Sequence, residues 1–183
     1  MCHPHPLFGG TLQNKVTYRI ARGLSRAGYS VLRFNFRGVG RSAGDHDGGV
    51  GEVDDLRAAV TWLCERLPGT RLLLAGYSFG AHVASVLFAE DARPEALIAV
   101  GPAVRVSSFE HLYRCRKPKH LIVAERDAFG PPGDVKGVFD RLASPKEMEV
   151  IAGADHSFVS ALPEVERKVE VIGASLFALE RRP

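Results

Sequence analysis

The amino-acid sequence predicts an α/β fold, a three-layer sandwich in which a mostly parallel, twisted sheet carries helices on both faces. Apolar runs of strand length alternate along the chain with longer segments whose apolar residues recur at helical spacing. The strand-like runs are apolar throughout, as expected for strands that helices cover on both sides. With 183 residues the chain can bury a sizeable core, and we expect residues 1–183 to form a single domain.

The predicted elements begin with a helix over residues 11–28, capped by Thr11 and ended by Gly28, and a strand over residues 29–36. The next elements are a glycine-rich loop (37–51), a helix (52–67), a strand (71–76), a helix (79–90), strands at 96–101 and 120–125, a helix (134–142) and a strand (147–153). The final helix starts at Pro163 and presents Val165, Val169, Ile172, Leu176 and Leu179 on one face.

Composition and charge argue against several classes of protein. The net charge of +3 is small and dispersed, so we expect no nucleic-acid partner, and we interpret the basic stretch 114–120 as a solvated loop leading into a strand. Three cysteines without a C-x-x-C pair argue against disulfides and structural zinc and favour a reducing compartment. We find no signal-peptide pattern and no apolar run near about 18 residues, which favours a cytoplasmic protein without a membrane partner.

The sequence GYSFG, residues 76–80, separates a predicted strand from a predicted helix. In a G-x-S-x-G turn of this kind the serine, here Ser78, sits at a sharp bend with its hydroxyl clear of the sheet. The pattern alone is weak, and its position between strand and helix strengthens it. The alternative is a helix-capping serine in a nucleotide-binding fold, although the chain has neither a G-x-G-x-x-G after a strand nor a G-K-[ST] loop.

A nucleophilic serine needs a base and an orienting acid, which follow it in the order Asp/Glu, His in this kind of fold. His156 follows the strand 147–153, at the sheet edge where active sites are built. Glu125 and Asp127 follow the strand 120–125, and we choose Asp127 because the turn carries it clear of the strand. Asp155 is adjacent to His156 in sequence and therefore poorly placed to face it. The alternatives are a surface-loop histidine and a turn-capping aspartate.

Two backbone amides must stabilise the negative oxygen that forms during acyl transfer. One is the amide of Phe79, at a helix N-terminus. We expect the second from the sequence HPHPLFGGT, residues 3–11, where His5 is the first choice and Leu7 the second because the prolines have no N–H.

Other histidines in these loops are given ordinary interpretations. His3 and His5 form H-x-H without an accompanying carboxylate cluster, so we expect no metal, and nothing in the sequence implies a cofactor. In the glycine-rich loop, Asp45, His46 and Asp47 are interpreted as solvated polar residues.

These segments resemble the α/β-hydrolase superfamily from residue 3 to the final helix. FNFRGVGRS is similar to its strand and R-G-x-G-x-S turn, and AERD and GADHSF to its acid and histidine loops. HPHPLFGGT is similar to a group of small bacterial hydrolases related to dienelactone hydrolase and to serine-peptidase-type hydrolases. The resemblance implies Ser78, Asp127 and His156 as the catalytic triad.

One departure from the family concerns the start of the sheet. In the family a strand runs directly into the oxyanion loop and lies between the counterparts of strands 29–36 and 71–76, whereas this sequence begins inside the loop. We therefore expect an N-terminally shortened sheet, in which the two strands face each other across the width of one strand, about 4.8 Å beyond normal pairing. Direct pairing of those two strands would contradict this expectation.

The function predicted from the sequence is a serine hydrolase that cleaves a small ester, thioester or amide through an acyl-enzyme. No segment is long enough for a lid domain, and Phe79, Leu7, Phe8 and Phe129 are expected to supply apolar walls for a small acyl substrate. The alternative is a non-catalytic domain of the same fold that binds a ligand or partner. The oligomeric state is not predicted.

Overall fold

A parallel sheet of four strands forms the centre of the molecule, as seen in a computed structural model that describes residues 1–176. The strands are β1 (Leu72–Tyr77), β2 (Pro94–Val100), β3 (Lys119–Arg126) and β4 (Lys146–Asp155), in the spatial order β1-β2-β3-β4. The helices are α1 (Lys15–Arg26), α2 (Val50–Arg66), α3 (Phe79–Glu90), α4 (Pro132–Arg141) and α5 (Leu162–Leu176). All three strand pairs are parallel, so the predicted α/β architecture is confirmed.

Two apolar cores lie on opposite faces of the sheet. One core packs the sheet against α2, α3 and α4, and the other packs it against α1 and α5. In β2, Leu97 and Ala99 join the first core, whereas Ile98 and Val100 join the second. This alternation is the period-two geometry of a strand, and it explains why the strands are apolar on both faces.

The first helix begins later than the sequence predicts. Asn14, not Thr11, caps α1, because its side-chain oxygen accepts hydrogen bonds from the amides of Val16 and Thr17 at 2.9 and 3.2 Å. The hydroxyl of Thr11 instead accepts from the amide of Gln13 in the preceding turn. The capping preferences of Asn and Thr are similar, so the choice between them depends on how this turn folds.

The final helix starts at Leu162, one residue before the predicted position. It buries Val165, Val169 and Ile172 from the predicted stripe, while Leu179 lies outside the described residues. Within residues 1–176, no helix has the length and apolar character needed to cross a bilayer.

The predicted strand over residues 29–36 is wrong, because the structure places this segment in none of the four strands of the sheet. Met1 and Cys2 lie between it and β1, with the Met1 amine donating to the carbonyl of Leu32 at 3.0 Å and the Cys2 amide to that of Ala75 at 2.9 Å. A cavity of about 70 Å³ separates the rest of the segment from β1. These few contacts join the segment to the sheet without forming a ladder.

The basic stretch 114–120 is also less solvated than predicted. Lys119 is fully buried at the start of β3, and its ammonium donates to the carbonyls of Cys115 and Ala143, both at 2.7 Å. A buried charge is tolerated only where polar groups replace water around it. Lys119 therefore joins two loops at the N-terminal edge of the sheet, away from the serine turn.

Candidate active site

The turn that carries Ser78 is strained and tightly packed. Ser78 has φ 55° and ψ −118°, a conformation that a residue with a side chain rarely adopts. A Cβ added to Gly76 would lie 2.1 Å from the carbonyl oxygen of Gly80, and one added to Gly80 would lie 2.4 Å from that of His3. Both glycines of the motif are therefore required for strand, helix and N-terminal loop to meet around the serine.

Ser78, His156 and Asp127 form one hydrogen-bonded chain. Ser78 Oγ lies 2.9 Å from His156 Nε2, and His156 Nδ1 lies 2.8 Å from Asp127 Oδ2. Asp127 follows β3 and His156 follows β4, so both side chains come from the carboxyl edge of the sheet. The structure thus brings together the three residues that the sequence proposed as a triad.

The carboxylate of Asp127 is held in its charged form. Burial alone would raise its pKa, but the hydrogen bond from His156 and the amides of Phe129 and Gly130 outweigh burial and keep the pKa below the ordinary aspartate value. The two amides lie 2.8 and 3.0 Å from Oδ1. An ionised Asp127 accepts a hydrogen bond from the N–H at Nδ1 of His156, so that Nε2 carries the lone pair that faces Ser78.

The neighbouring carboxylates are engaged elsewhere. Glu125 accepts a hydrogen bond from the amide of Gly153 at 2.7 Å, and Asp155 accepts one from the amide of Ser157 at 3.0 Å. These contacts support the choice of Asp127 over both alternatives.

Two further contacts fix the histidine loop, and the sequence analysis did not find them. The hydroxyl of Tyr77 donates to the backbone carbonyl of His156 at 2.7 Å, and the ring of Phe129 lies 4.8 Å from the imidazole, centroid to centroid. Burial raises the pKa of Tyr77, so its hydroxyl keeps the proton that this hydrogen bond needs. The available signals were that Tyr77 directly precedes the nucleophile and that Phe129 lies two residues after the acid.

The predicted oxyanion donors lie on two elements that pack together. Phe79 is the first residue of α3, so its amide has no partner inside the helix. The ring of His5 packs on that of Phe79 at 4.8 Å, and within residues 1–176 the His5 amide donates to no other group. The Leu7 amide already donates to Nδ1 of His5 at 3.3 Å, so His5 is the better candidate of the two.

His3 and His5 make separate contacts and do not converge. Nδ1 of His3 lies 2.7 Å from the carbonyl of Pro4, and its Nε2 accepts from the amide of Phe36 at 3.0 Å. Both nitrogens are therefore occupied in fixing the N-terminal loop. Within residues 1–176, no group of three or more histidine, cysteine, aspartate or glutamate side chains is arranged to hold a metal ion.

His46 is not the solvated residue that the sequence analysis expected. Its Nδ1 lies 2.7 Å from the fully buried carboxylate of Glu52, and its ring packs on that of His5 at 4.7 Å. Burial would raise the pKa of Glu52, but hydrogen bonds from the amides of Asp47 and Gly49 and from His46 keep it below the ordinary value. The glutamate three positions after Gly49, at a helix start, is the capping pattern that could have revealed this cluster.

The triad opens to solvent between loops. Leu7 and Phe8 are 71% and 86% exposed, and an open groove of about 400 Å³ runs from Gly9 and Asn14 past Tyr77 to Val159. Ser78 and His156 are themselves partly exposed, so a ligand can reach them directly from solvent.

A strained Ser78 in hydrogen-bond contact with His156 and Asp127, at the carboxyl edge of a parallel sheet, defines the α/β-hydrolase class of site. The sequence profile of a family described as "Alpha/beta hydrolase domain" matches residues 8–172. The chain belongs to this family.

Similar proteins cover most of the chain. The uncharacterized protein RP471 of Rickettsia prowazekii is 38% identical over 165 residues, which are 85% of this chain and 69% of that protein. An α/β serine hydrolase homologue from Coxiella burnetii is 38% identical with a TM-score of 0.88, covering 93% of this chain and 81% of its own. XC6422 from Xanthomonas campestris, an α/β serine hydrolase without lid, is 34% identical with a TM-score of 0.85. The match covers 93% of this chain and 77% of XC6422.

Proposed function

We propose that the protein is a serine hydrolase that cleaves a small ester, thioester or amide through an acyl-enzyme on Ser78. The single observation that carries the proposal is the chain of two hydrogen bonds, 2.9 and 2.8 Å long, from Ser78 through His156 to Asp127. A serine hydroxyl becomes a useful nucleophile only beside such an oriented base.

The reaction follows from the positions of these groups. Nε2 of His156 takes the proton of Ser78 as Oγ bonds to the substrate carbonyl carbon, and the imidazolium then gives that proton to the departing alcohol, thiol or amine. Water repeats the sequence on the acyl-enzyme and releases the acid. The amides of Phe79 and His5 stabilise the negative oxygen, and each such donor contributes about 10²–10³ in rate.

Two relatives support a hydrolase with an accessible site. The Coxiella burnetii protein is described as a serine hydrolase homologue, and XC6422 as a serine hydrolase without lid. The exposed loops around Ser78 agree with a small-molecule acyl substrate that enters without a covering domain. The choice among ester, thioester and amide belongs to the experiment.

A fluorophosphonate probe and p-nitrophenyl acetate test the proposal. We expect the wild-type protein to be labelled and to hydrolyse the ester, and Ser78→Ala to lose labelling and at least about a thousandfold of the activity. Ser25→Ala is the matched control, because Ser25 lies exposed near the C-terminal end of α1.

A well-folded wild-type protein that is neither labelled nor active would contradict the proposal and favour the non-catalytic, ligand-binding alternative. Labelling that survives in Ser78→Ala would also contradict it, because the reactive group would then lie elsewhere.

A further inference from the structure

Large apolar side chains are exposed mainly in the N-terminal loop and in the segments that follow the strands. Six of the eleven such side chains within residues 1–176 lie in the N-terminal loop, at the start of α2 or in the segments after β2, β3 and β4, and we call them the apolar rim: Leu7, Phe8, Val50, Val106, Phe129 and Val159. Contiguous exposed apolar surface is uncommon on soluble proteins and marks places where a ligand or partner binds. Its concentration at one end of the sheet therefore points to a role in binding.

The apolar rim is continuous with the catalytic groups on both sides of the nucleophile. On one side the ring of Phe129 lies 4.8 Å from that of His156. On the other side the ring of Phe8 lies 4.8 Å from that of His5, which packs at 4.8 Å on Phe79, the residue after Ser78. A chain attached to a carbonyl at Ser78 is therefore one side chain (His156) away from the exposed Phe129 ring on one side, and two side chains (Phe79 and His5) away from the exposed Phe8 ring on the other.

Backbone contacts hold the apolar rim in place even though its side chains are exposed. The amide of Phe129 donates to Asp127 at 2.8 Å, and its carbonyl accepts from the amide of Arg105, next to Val106, at 3.0 Å. The amide of Phe8 donates to the carbonyl of His5 at 3.1 Å. The apolar surface is thus attached to the same backbone that aims the acid and the oxyanion loop.

We propose that the apolar rim binds the acyl chain of the substrate, so that the enzyme prefers medium-chain apolar acyl groups to acetyl. The inference rests on the proposed function and names the substrate class of the same site. Each methylene that leaves water contributes a factor of about four in binding. Because the rim is open on one side, an acyl chain buries only part of its surface there, and we expect a gain of about tenfold in kcat/KM from butyrate to octanoate.

The test compares p-nitrophenyl acetate, butyrate and octanoate below their solubility limits, in wild type and in Phe8→Ser and Phe129→Ser. The readout is the ratio of kcat/KM for octanoate to that for acetate, in which changes to the chemical step cancel. We expect the ratio to fall at least about threefold in one or both variants. Val171→Ser, a similarly exposed apolar residue on α5, is the matched control and should leave the ratio unchanged.

The possible outcomes separate this inference from the proposed function. Hydrolysis of acetate without a gain for longer chains would overturn the inference and leave the serine hydrolase intact. A wild-type ratio unaffected by both rim variants would also overturn it, and loss of a dimer in those variants on sedimentation would then assign the rim to a second copy. A protein inactive on every ester and unlabelled by fluorophosphonate would overturn the proposed function itself.

Discussion

The position of Asp127 is fixed by residues that follow it closely along the chain. Its Oδ1 accepts from the amides of Phe129 and Gly130, and this leaves Oδ2 for His156. The turn itself therefore orients the acid, and the buried carboxylate receives a hydrogen bond at each of its oxygens.

Replacing Asp127 by asparagine should lower kcat by a factor of about 10³–10⁴ while the protein stays folded. The amide side chain can keep the turn contacts, but it does not hold the proton on Nδ1 of His156 as a carboxylate does. The measurement is ester hydrolysis together with thermal unfolding. Glu125→Gln is the control, because Glu125 bonds the amide of Gly153, and equal losses in the two variants would contradict the assignment of the acid.

At the scale of secondary-structure elements, the spacing of apolar residues predicted most helices and strands, because that spacing is a local property of the chain. The helix at residues 79–90 and the strands on either side of it were placed nearly at their observed ends, because buried apolar strands and helices have different lengths and spacing. The sequence analysis placed Asp127 and His156 after two strands whose carboxyl ends lie at one edge of the sheet, because parallel strands end at one edge. The segment 29–36 was misassigned because a strand depends on a partner, and no pattern within the segment reports that partner.

The loop at residues 37–51 was misinterpreted for a related reason, although the spacing of Gly49 and Glu52 is a local sign of its structure. Its fold brings Glu52 into the interior, and the buried carboxylate then gathers the donors of Asp47, Gly49 and His46. Polar residues in a glycine-rich stretch look the same in sequence whether they bind such a carboxylate or water. As folded, this loop supports the oxyanion loop through the rings of His46 and His5.

We therefore expect His46→Ala to lower kcat about tenfold with little change in KM. Loss of the supporting ring would let the His5 amide move away from the negative oxygen that it stabilises. His46→Phe keeps an aromatic ring under His5 and should recover most of the rate. Steady-state kinetics on p-nitrophenyl acetate give both parameters, with the exposed neighbour variant Asp45→Ala as control. A wild-type kcat in His46→Ala, or an equally slow His46→Phe, would show that the ring does not position the loop.

The whole molecule combines two apolar cores with several histidines that folding keeps away from water. Burial lowers the pKa of His3, His82 and His120, and for His111 burial and the nearby His82 lower it from 6.5 to about 4. His111 is held against α3 by a hydrogen bond of 2.8 Å to the buried hydroxyl of Ser85. His3, His82 and His111 hold loops near the active site, and His120 lies at the start of β3. Because folding lowers the pKa of all four, their protonation affects global stability.

Acidification should lower the stability of the folded protein, because folding lowers the pKa of each of these histidines. The folded pKa lies below the unfolded value of about 6.5, so the unfolded chain binds more protons in the interval between them. The stability is therefore complete above about pH 6.5 and declines as the pH falls toward the folded pKa.

We expect the Tm to drop by about 5 °C or more between about pH 7 and pH 5, since one pKa unit is 1.36 kcal/mol and a chain of this size shifts roughly 2–4 °C per kcal/mol. Thermal unfolding followed by circular dichroism across that range measures it. His111→Asn keeps a polar partner for Ser85 but removes the titrating ring, so its Tm should depend less steeply on pH. An unchanged wild-type Tm, or a slope identical in His111→Asn, would contradict the role given to these buried histidines.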